Sequence, residues 1–302
     1  MIFESHAHYN DRKFDEDRDE VIESLAGYGV GRVINVGDTL ESSAECIRLA
    51  ERYDFIYAAV GVHPESVRDM VEDESASATD TDRLNTGEQT ADVMNDTEDD
   101  TSYRVLTERL RSTGYINTLR QQALSCDRVV SIGEIGLDYY WEKDDRYRKL
   151  QQEVFLQQME LASELKLPVI IHSRDACKDT LDIIARSPFA EGKLTGVMHC
   201  YSYSPEVAAE LVRKYGMYIG VGGVVTFKNS KNLRETVEKI PIDNILVETD
   251  CPYMAPEPYR GKRNFSGYLP YVVEKIAEIK GITTDEVERK TYENGCRLFG
   301  VS

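Results

Sequence analysis

The chain has five histidines, and each falls where a short apolar run stops. Ile2-Phe3-Glu4-Ser5-His6 is followed two residues later by His8. Pro168-Val169-Ile170-Ile171-His172 and Thr195-Gly196-Val197-Met198-His199 repeat the pattern, and His63 follows Ile56–Val60 within Gly61-Val62-His63-Pro64. On an extended backbone, residues two apart project from the same side, so the rings of His6 and His8 could grip one ion together. Two acids stand in like positions: Glu134 in Ser131-Ile132-Gly133-Glu134-Ile135-Gly136-Leu137-Asp138, and Asp250 in Ile245-Leu246-Val247-Glu248-Thr249-Asp250-Cys251-Pro252. A carboxylate at the end of an apolar strand is costly to bury without a cation or a proton, and the glycines beside Glu134 let the backbone approach a crowded rim. Taken singly, His172 and His199 would more often be hydrogen-bonded core residues than ligands, His6 and His8 a pair of surface histidines, and Glu134 could be an acid paired with an arginine. Their recurrence at strand ends favours a shared ligand set. Imidazoles with carboxylates suit zinc, manganese or iron, and carboxylate oxygens with retained water also admit magnesium, so ligand type leaves the ion open.

Such a set needs a scaffold that gathers strand ends. The candidate strands are 2–6, 32–36, 56–60, 129–133, 169–172, 196–199, 217–221 and 245–249, each followed by residues able to form a helix. The clearest helix is expected over Arg146–Lys166, where Leu150, Val154, Met159, Leu161 and Leu165 recur near a 3.6 period before Pro168 stops it. Two more are expected near Leu269–Ile279 and Thr284–Phe299. Eight strand-helix units predict an α/β protein of the (β/α)8 TIM-barrel class, in which the C-terminal ends of all strands meet on one rim.

A chain of 302 residues fits one such barrel, so a single domain over 1–302 is expected. No apolar run approaches the roughly 20 residues of a membrane span, and the N-terminus lacks the basic-then-apolar pattern of a secretory signal, so a cytoplasmic protein is expected. Six cysteines without a CxxC pair are read as reduced thiols. The net charge of −18 would repel a polyanion at long range. Much of it is local: residues 72–102 hold eleven acids against Arg83 alone, −10 of the total. An insertion at about 72–104 is therefore expected, a solvated mobile loop, with a partner-binding or cation-collecting arm as the functional alternative.

The ordered motifs His6-Ala7-His8, Gly61-Val62-His63-Pro64, Gly133-Glu134-Ile135-Gly136-Leu137-Asp138, His172-Ser173-Arg174, His199-Cys200-Tyr201-Ser202 and Glu248-Thr249-Asp250-Cys251-Pro252 resemble those of the TatD family of metal-dependent deoxyribonucleases. The resemblance covers nearly the whole chain except residues 72–104. It implies a barrel of the amidohydrolase kind, a two-metal centre and 3′–5′ exonuclease activity on DNA, with the ligand roles falling on His6, His8, Glu134, His172, His199 and Asp250. Three positions depart from the family's usual pattern. Glu4 stands in place of Asp, Tyr9-Asn10 in place of Leu-Asp, and Phe265-Ser266 in place of the Glu-Pro that follows Arg260-Gly261-Lys262-Arg263-Asn264.

The mechanism that follows has two divalent ions (magnesium, zinc or manganese) about 3.5–4 Å apart clamping a phosphate, Glu134 bridging them, and Asp250 accepting a proton from the attacking water. His63, Arg174 and Tyr201 are candidate contacts to phosphate or base. A cysteine nucleophile at Cys200 or Cys251 is the first rival, disfavoured because strand neighbours point apart. A metal-dependent ester or amide hydrolase, such as a D-aminoacyl-tRNA deacylase, is the second, and a non-catalytic metal-binding barrel the third. No membrane and no obligate protein partner are expected.

Overall fold

Eight strands, β1 Ile2–Ala7, β2 Val30–Val36, β3 Ile56–Val60, β4 Val129–Asp138, β5 Val169–Arg174, β6 Gly196–Met198, β7 Tyr218–Val221 and β8 Ile245–Val247, pair in parallel in sequence order. The computed structural model describes residues 1–72 and 98–302. Helices fill the connections, among them Leu40–Arg52, Asp145–Leu165 and Pro205–Tyr215, and the architecture is the expected (β/α)8 barrel. The two edges meet just beyond the strands: Ala7 bridges Cys251 in parallel. The Asp250 N–H donates to the His6 carbonyl, and the His8 N–H to the Cys251 carbonyl, each across 2.9 Å.

Alternation along the strands sorts the core into two clusters. Phe3, Ile34, Ala59, Val130, Ile170, Val197, Tyr218 and Leu246, one from each strand, pack together with Leu298, Phe299 and Val301. A cluster drawing on every strand of a closed barrel is its interior, here plugged from the strand N-terminal side by the end of helix Thr284–Phe299, with Phe3 and Phe299 stacked at 5.8 Å. Neighbouring residues such as Val33, Ala58, Val129 and Val169 point outward into the helical layer. With one end filled by hydrocarbon, polar side chains gather at the other.

Most expected boundaries fall within two residues of those observed. The exception that matters is β4, expected to stop at Gly133. Its ladder with β5 continues through Gly136↔His172 to Asp138↔Arg174, so Glu134 lies within a strand rather than after one. The extension depends on Gly136: its φ is +143°, and a Cβ there would stand 1.9 Å from the His172 carbonyl oxygen.

Helix Asp145–Leu165 starts on Asp144, whose carboxylate accepts the Arg146 N–H, and ends on Lys166 in the left-handed region. Two glutamines on its buried face serve the rim. Gln158 both accepts from and donates to the backbone of Val62, at 2.8 and 3.0 Å. Gln151 donates to the Pro64 carbonyl and accepts the Asp138 N–H, at 3.1 and 3.0 Å. Together they fasten the backbone on either side of His63.

The two ends of the expected loop are helical: Glu72 ends helix Ser66–Glu72, and residues 98–104 open helix Glu98–Ser112. Acid-rich sequence there still forms helix, and the buried Leu106 and Leu110 that follow anchor it in the core. The remainder of the expected loop, 73–97, lies outside the described residues. Among the described residues no helix is long and apolar enough to cross a membrane.

Candidate metal centre

The barrel brings His6, His8, His63, Glu134, His172, His199 and Asp250 to one place. Three groups, His6–Glu134–His199, His6–His8–Asp250 and His63–Glu134–His172, each have ligand atoms within 4.8 Å of one another. Glu134 is 4% exposed and its two oxygens face different partners. Oε1 lies 2.8 Å from His199 Nε2, 2.9 Å from His172 Nδ1 and 3.5 Å from His63 Nε2. Oε2 lies 3.3 Å from His6 Nε2 and 3.7 Å from His8 Nε2. Asp250 Oδ1 closes the other side at 3.6 Å from His6 and 3.4 Å from His8.

The donor chemistry fits a cation. His8 Nδ1 is 2.8 Å from the Val36 carbonyl, which can only accept, so Nδ1 carries a proton and Nε2 is the nitrogen turned inward, the one a cation would meet on displacing its proton. There it meets His6 Nε2 at 3.0 Å. Two ring nitrogens at that separation, flanked by carboxylate oxygens, match ligands sharing one ion at roughly 2.0–2.2 Å each. His63 is oriented the opposite way. The Glu65 N–H donates to His63 Nδ1 at 3.2 Å, so the ring's own N–H sits at Nε2 and points toward Glu134. His63 thus presents a donor to the centre, where His8 presents an acceptor once a cation displaces its Nε2 proton.

The electrostatics tell the same story. Burial works against charge on Glu134, yet the imidazoles around it, His199 foremost, hold its carboxyl well below the usual range. Asp250 is also lowered, because the His8 bond and the charges of His199 and His6 outweigh burial. The acids in turn draw protons onto the rings. His8 rises to about 9 against the opposing effect of burial, through Asp250 and Glu134. His172 and His199 are raised, and His6, the most enclosed, is lowered first by burial and then by His199. Protons occupy the positions where a divalent ion would balance the same charges.

Several supporting groups were not among the sequence candidates. Asp138 Oδ2 stands 3.0 Å from His172 Nε2, a carboxylate fixing the orientation of an imidazole whose other nitrogen faces Glu134. Glu248, 1% exposed, accepts the Cys200 N–H at 2.5 Å and lies 3.6 Å from His199 Nδ1. A Cβ at Gly220 would fall on that carboxylate, 2.4 Å from Oε2. Glu4, wholly buried, accepts from the backbone N–H groups of His6 and Thr249 at 3.2 and 2.8 Å, and from Thr249 Oγ1 at 2.6 Å. Burial raises its carboxyl to about 8, against the lowering effect of these bonds. Two of the unusual positions also touch: the Tyr9 hydroxyl lies 2.7 Å from Ser266 Oγ and accepts the Ser266 N–H at 3.0 Å. Asp250 and Cys200 both adopt positive φ, +55° and +43°, beside the ligand candidates, the kind of backbone strain that collects at functional sites.

Of the three candidate substrate contacts, only His63 joins the cluster. Arg174 is exposed at the end of β5, its guanidinium 3.9 Å from the Tyr140 ring centroid. Tyr201 is 2% exposed and its hydroxyl donates to the Ser204 carbonyl; beyond the left-handed turn at Cys200 its ring packs into the protein. The cysteine rival loses support, since burial pushes the Cys200 thiol up to about 12 and raises Cys251 as well. Neither offers a thiolate at neutral pH.

Comparison with known proteins agrees with this layout. Residues 3–300 match the family described as TatD related DNase. An uncharacterized metal-dependent hydrolase of Bacillus subtilis, YabD, is 39% identical over 302 residues, covering all of both chains. Another, YcfH of Escherichia coli K12, is 41% identical over 189 residues, covering 62% of this chain and 68% of its own. The crystal structure of YJJV, a TatD homolog from the same E. coli strain, superposes with a TM-score of 0.75 at 27% identity, covering 100% of this chain and 98% of that one. With the candidate ligands gathered on the barrel and residues 3–300 matched by the family model, the chain belongs to the TatD family, and its relatives YabD and YcfH are named as metal-dependent hydrolases.

Proposed function

We propose that this metal-dependent hydrolase cleaves phosphodiester bonds of DNA as a 3′–5′ exonuclease, with two divalent ions, magnesium, zinc or manganese, held by His6, His8, Glu134, His172, His199 and Asp250. The observation that carries this reading is the division within Glu134. One oxygen faces His6 and His8 and the other faces His172 and His199, so a single carboxylate stands between two groups of imidazoles. When bound, such ions supply Lewis-acid polarisation of a phosphoryl oxygen and lower the pKa of water.

The chain's own residues supply the rest. Asp250, kept ionised by His8, His199 and His6, takes the proton of an attacking water at Oδ1. His63 directs its Nε2–H toward the centre and donates to a phosphate oxygen. Asp138 holds the His172 ring in place, and Glu4 ties β1 to the segment after β8 beneath the ligands. Six cysteines, none in a disulfide, fit a reducing cytoplasm.

The test is an assay of EDTA-stripped protein, reloaded with each ion in turn, on a 3′-labelled single-stranded oligodeoxynucleotide beside an aminoacyl-tRNA. Metal-dependent release of labelled mononucleotide is expected. Deacylation without nucleotide release would replace this reading with the ester-hydrolase alternative.

A further inference from the structure

The turn leaving β4 carries Tyr140 and Trp141, 44% and 61% exposed. Trp141 is the chain's only tryptophan. An indole left so open forgoes a large hydrophobic gain, and exposed aromatic surface next to a reaction centre marks a place where something flat and apolar lands. The turn is rigidly tied to that centre. The backbone N–H of Trp141 donates to Asp138 Oδ1 at 2.8 Å, while Oδ2 of the same carboxylate faces His172 at 3.0 Å. Tyr140 and Trp141 stand edge to face, centroids 4.8 Å apart at 84°. Arg174, which pairs with Asp138 across the ladder, lays its guanidinium 3.9 Å from the Tyr140 centroid and 5.8 Å from that of Trp141. Among the described residues Arg174 makes no ion pair, so its charge is available to an anion. An aromatic pair braced by a guanidinium combines a stacking surface with a phosphate partner.

Resting on the phosphodiesterase reading above, we infer that Trp141 and Tyr140 stack a nucleobase of single-stranded nucleic acid while Arg174 meets the adjoining phosphate, holding the strand beside the ligand cluster. Every base presents a π-face, so such a platform accepts any sequence but needs unpaired bases. The charge balance sets what such a platform must do. A chain of net charge −18 gains little from long-range attraction to a polyanion, which leaves short-range stacking to supply affinity.

Because Trp141 is the single tryptophan, intrinsic emission reads the platform directly. EDTA-stripped protein is titrated with oligothymidylate and, separately, with an abasic oligomer of the same length. Saturable quenching by the first and none by the second is expected. In the metal-loaded enzyme, Trp141→Ala raises KM for oligothymidylate cleavage about tenfold with kcat held, and Trp141→Phe restores most of the loss. Emission unmoved by oligothymidylate, equal quenching by the abasic oligomer, or an unchanged KM in Trp141→Ala overturns the inference. Emission that follows protein concentration alone overturns it too, since a second copy would then cover the platform. Base-dependent quenching without any metal-dependent cleavage counts against the phosphodiesterase reading and supports the stacking.

Discussion

The N–H of Asp250 donates to the carbonyl of His6 across 2.9 Å, so the bond that joins the last strand's exit to the first strand also joins two candidate ligands. The barrel's closing seam and its reactive centre are the same few residues. Anything that loosens one disturbs the other.

Asp138 acts on the centre through His172. Asp138→Asn keeps the size of the side chain and removes the charge that orients the imidazole at Nε2. Metal affinity, or metal-dependent hydrolysis at limiting metal, should fall about 10–100-fold, with the far-ultraviolet circular dichroism unchanged. Metal titrations that superimpose on the wild type would remove Asp138 from the account.

Glu4 gives a pH signature in metal-stripped protein. Its folded pKa, about 8, lies above the ordinary 4.5, so the folded state keeps a proton that the unfolded chain has lost. The stability this confers is complete below about pH 4.5 and is lost as pH rises through 8, at about 1.4 kcal/mol per pH unit between the two values. Urea midpoints at several pH values between 5 and 8 should fall more steeply for the wild type than for Glu4→Gln, which has no proton to lose. Parallel curves for the two proteins would refute it.

Tyr9 and Ser266, two positions unusual for the family, share a buried hydrogen bond. In a double-mutant cycle, Tyr9→Phe and Ser266→Ala should each destabilise by about 1–2 kcal/mol. Their combination should cost less than the sum by about 0.5–1.5 kcal/mol, the coupling expected of residues in direct contact. Simple additivity in chemical denaturation would mean that the two departures are independent.

The sequence made the barrel and the six candidate ligands gathered at its rim legible for one physical reason. In a parallel barrel the apolar run ends where the rim begins, so a histidine or acid that stops such a run is already placed. His199 and Asp250 fit that rule, lying one and three residues beyond their strands. Glu134 was found despite its strand running on, because the glycines that permit the extension also drew attention to it. Asp138, Glu248 and Glu4 were harder to see, since their partners His172, Cys200 and Thr249 lie 34, 48 and 245 positions away. Gln151 and Gln158 did leave a signal, as polar residues within the helix's apolar stripe. Tyr201 lies apart from the cluster although it is near His199 in sequence, because the backbone turns left-handed at Cys200 between them.

The central claim is that these side chains hold a pair of ions around Glu134. Mass-spectrometric metal analysis of manganese- or zinc-reconstituted protein, after exhaustive desalting, tests it most directly. About two ions per chain are expected in the wild type, with Glu134→Ala losing at least one of them while remaining folded. A wild type that retains none, or a Glu134→Ala protein that retains as many as the wild type, would contradict the account.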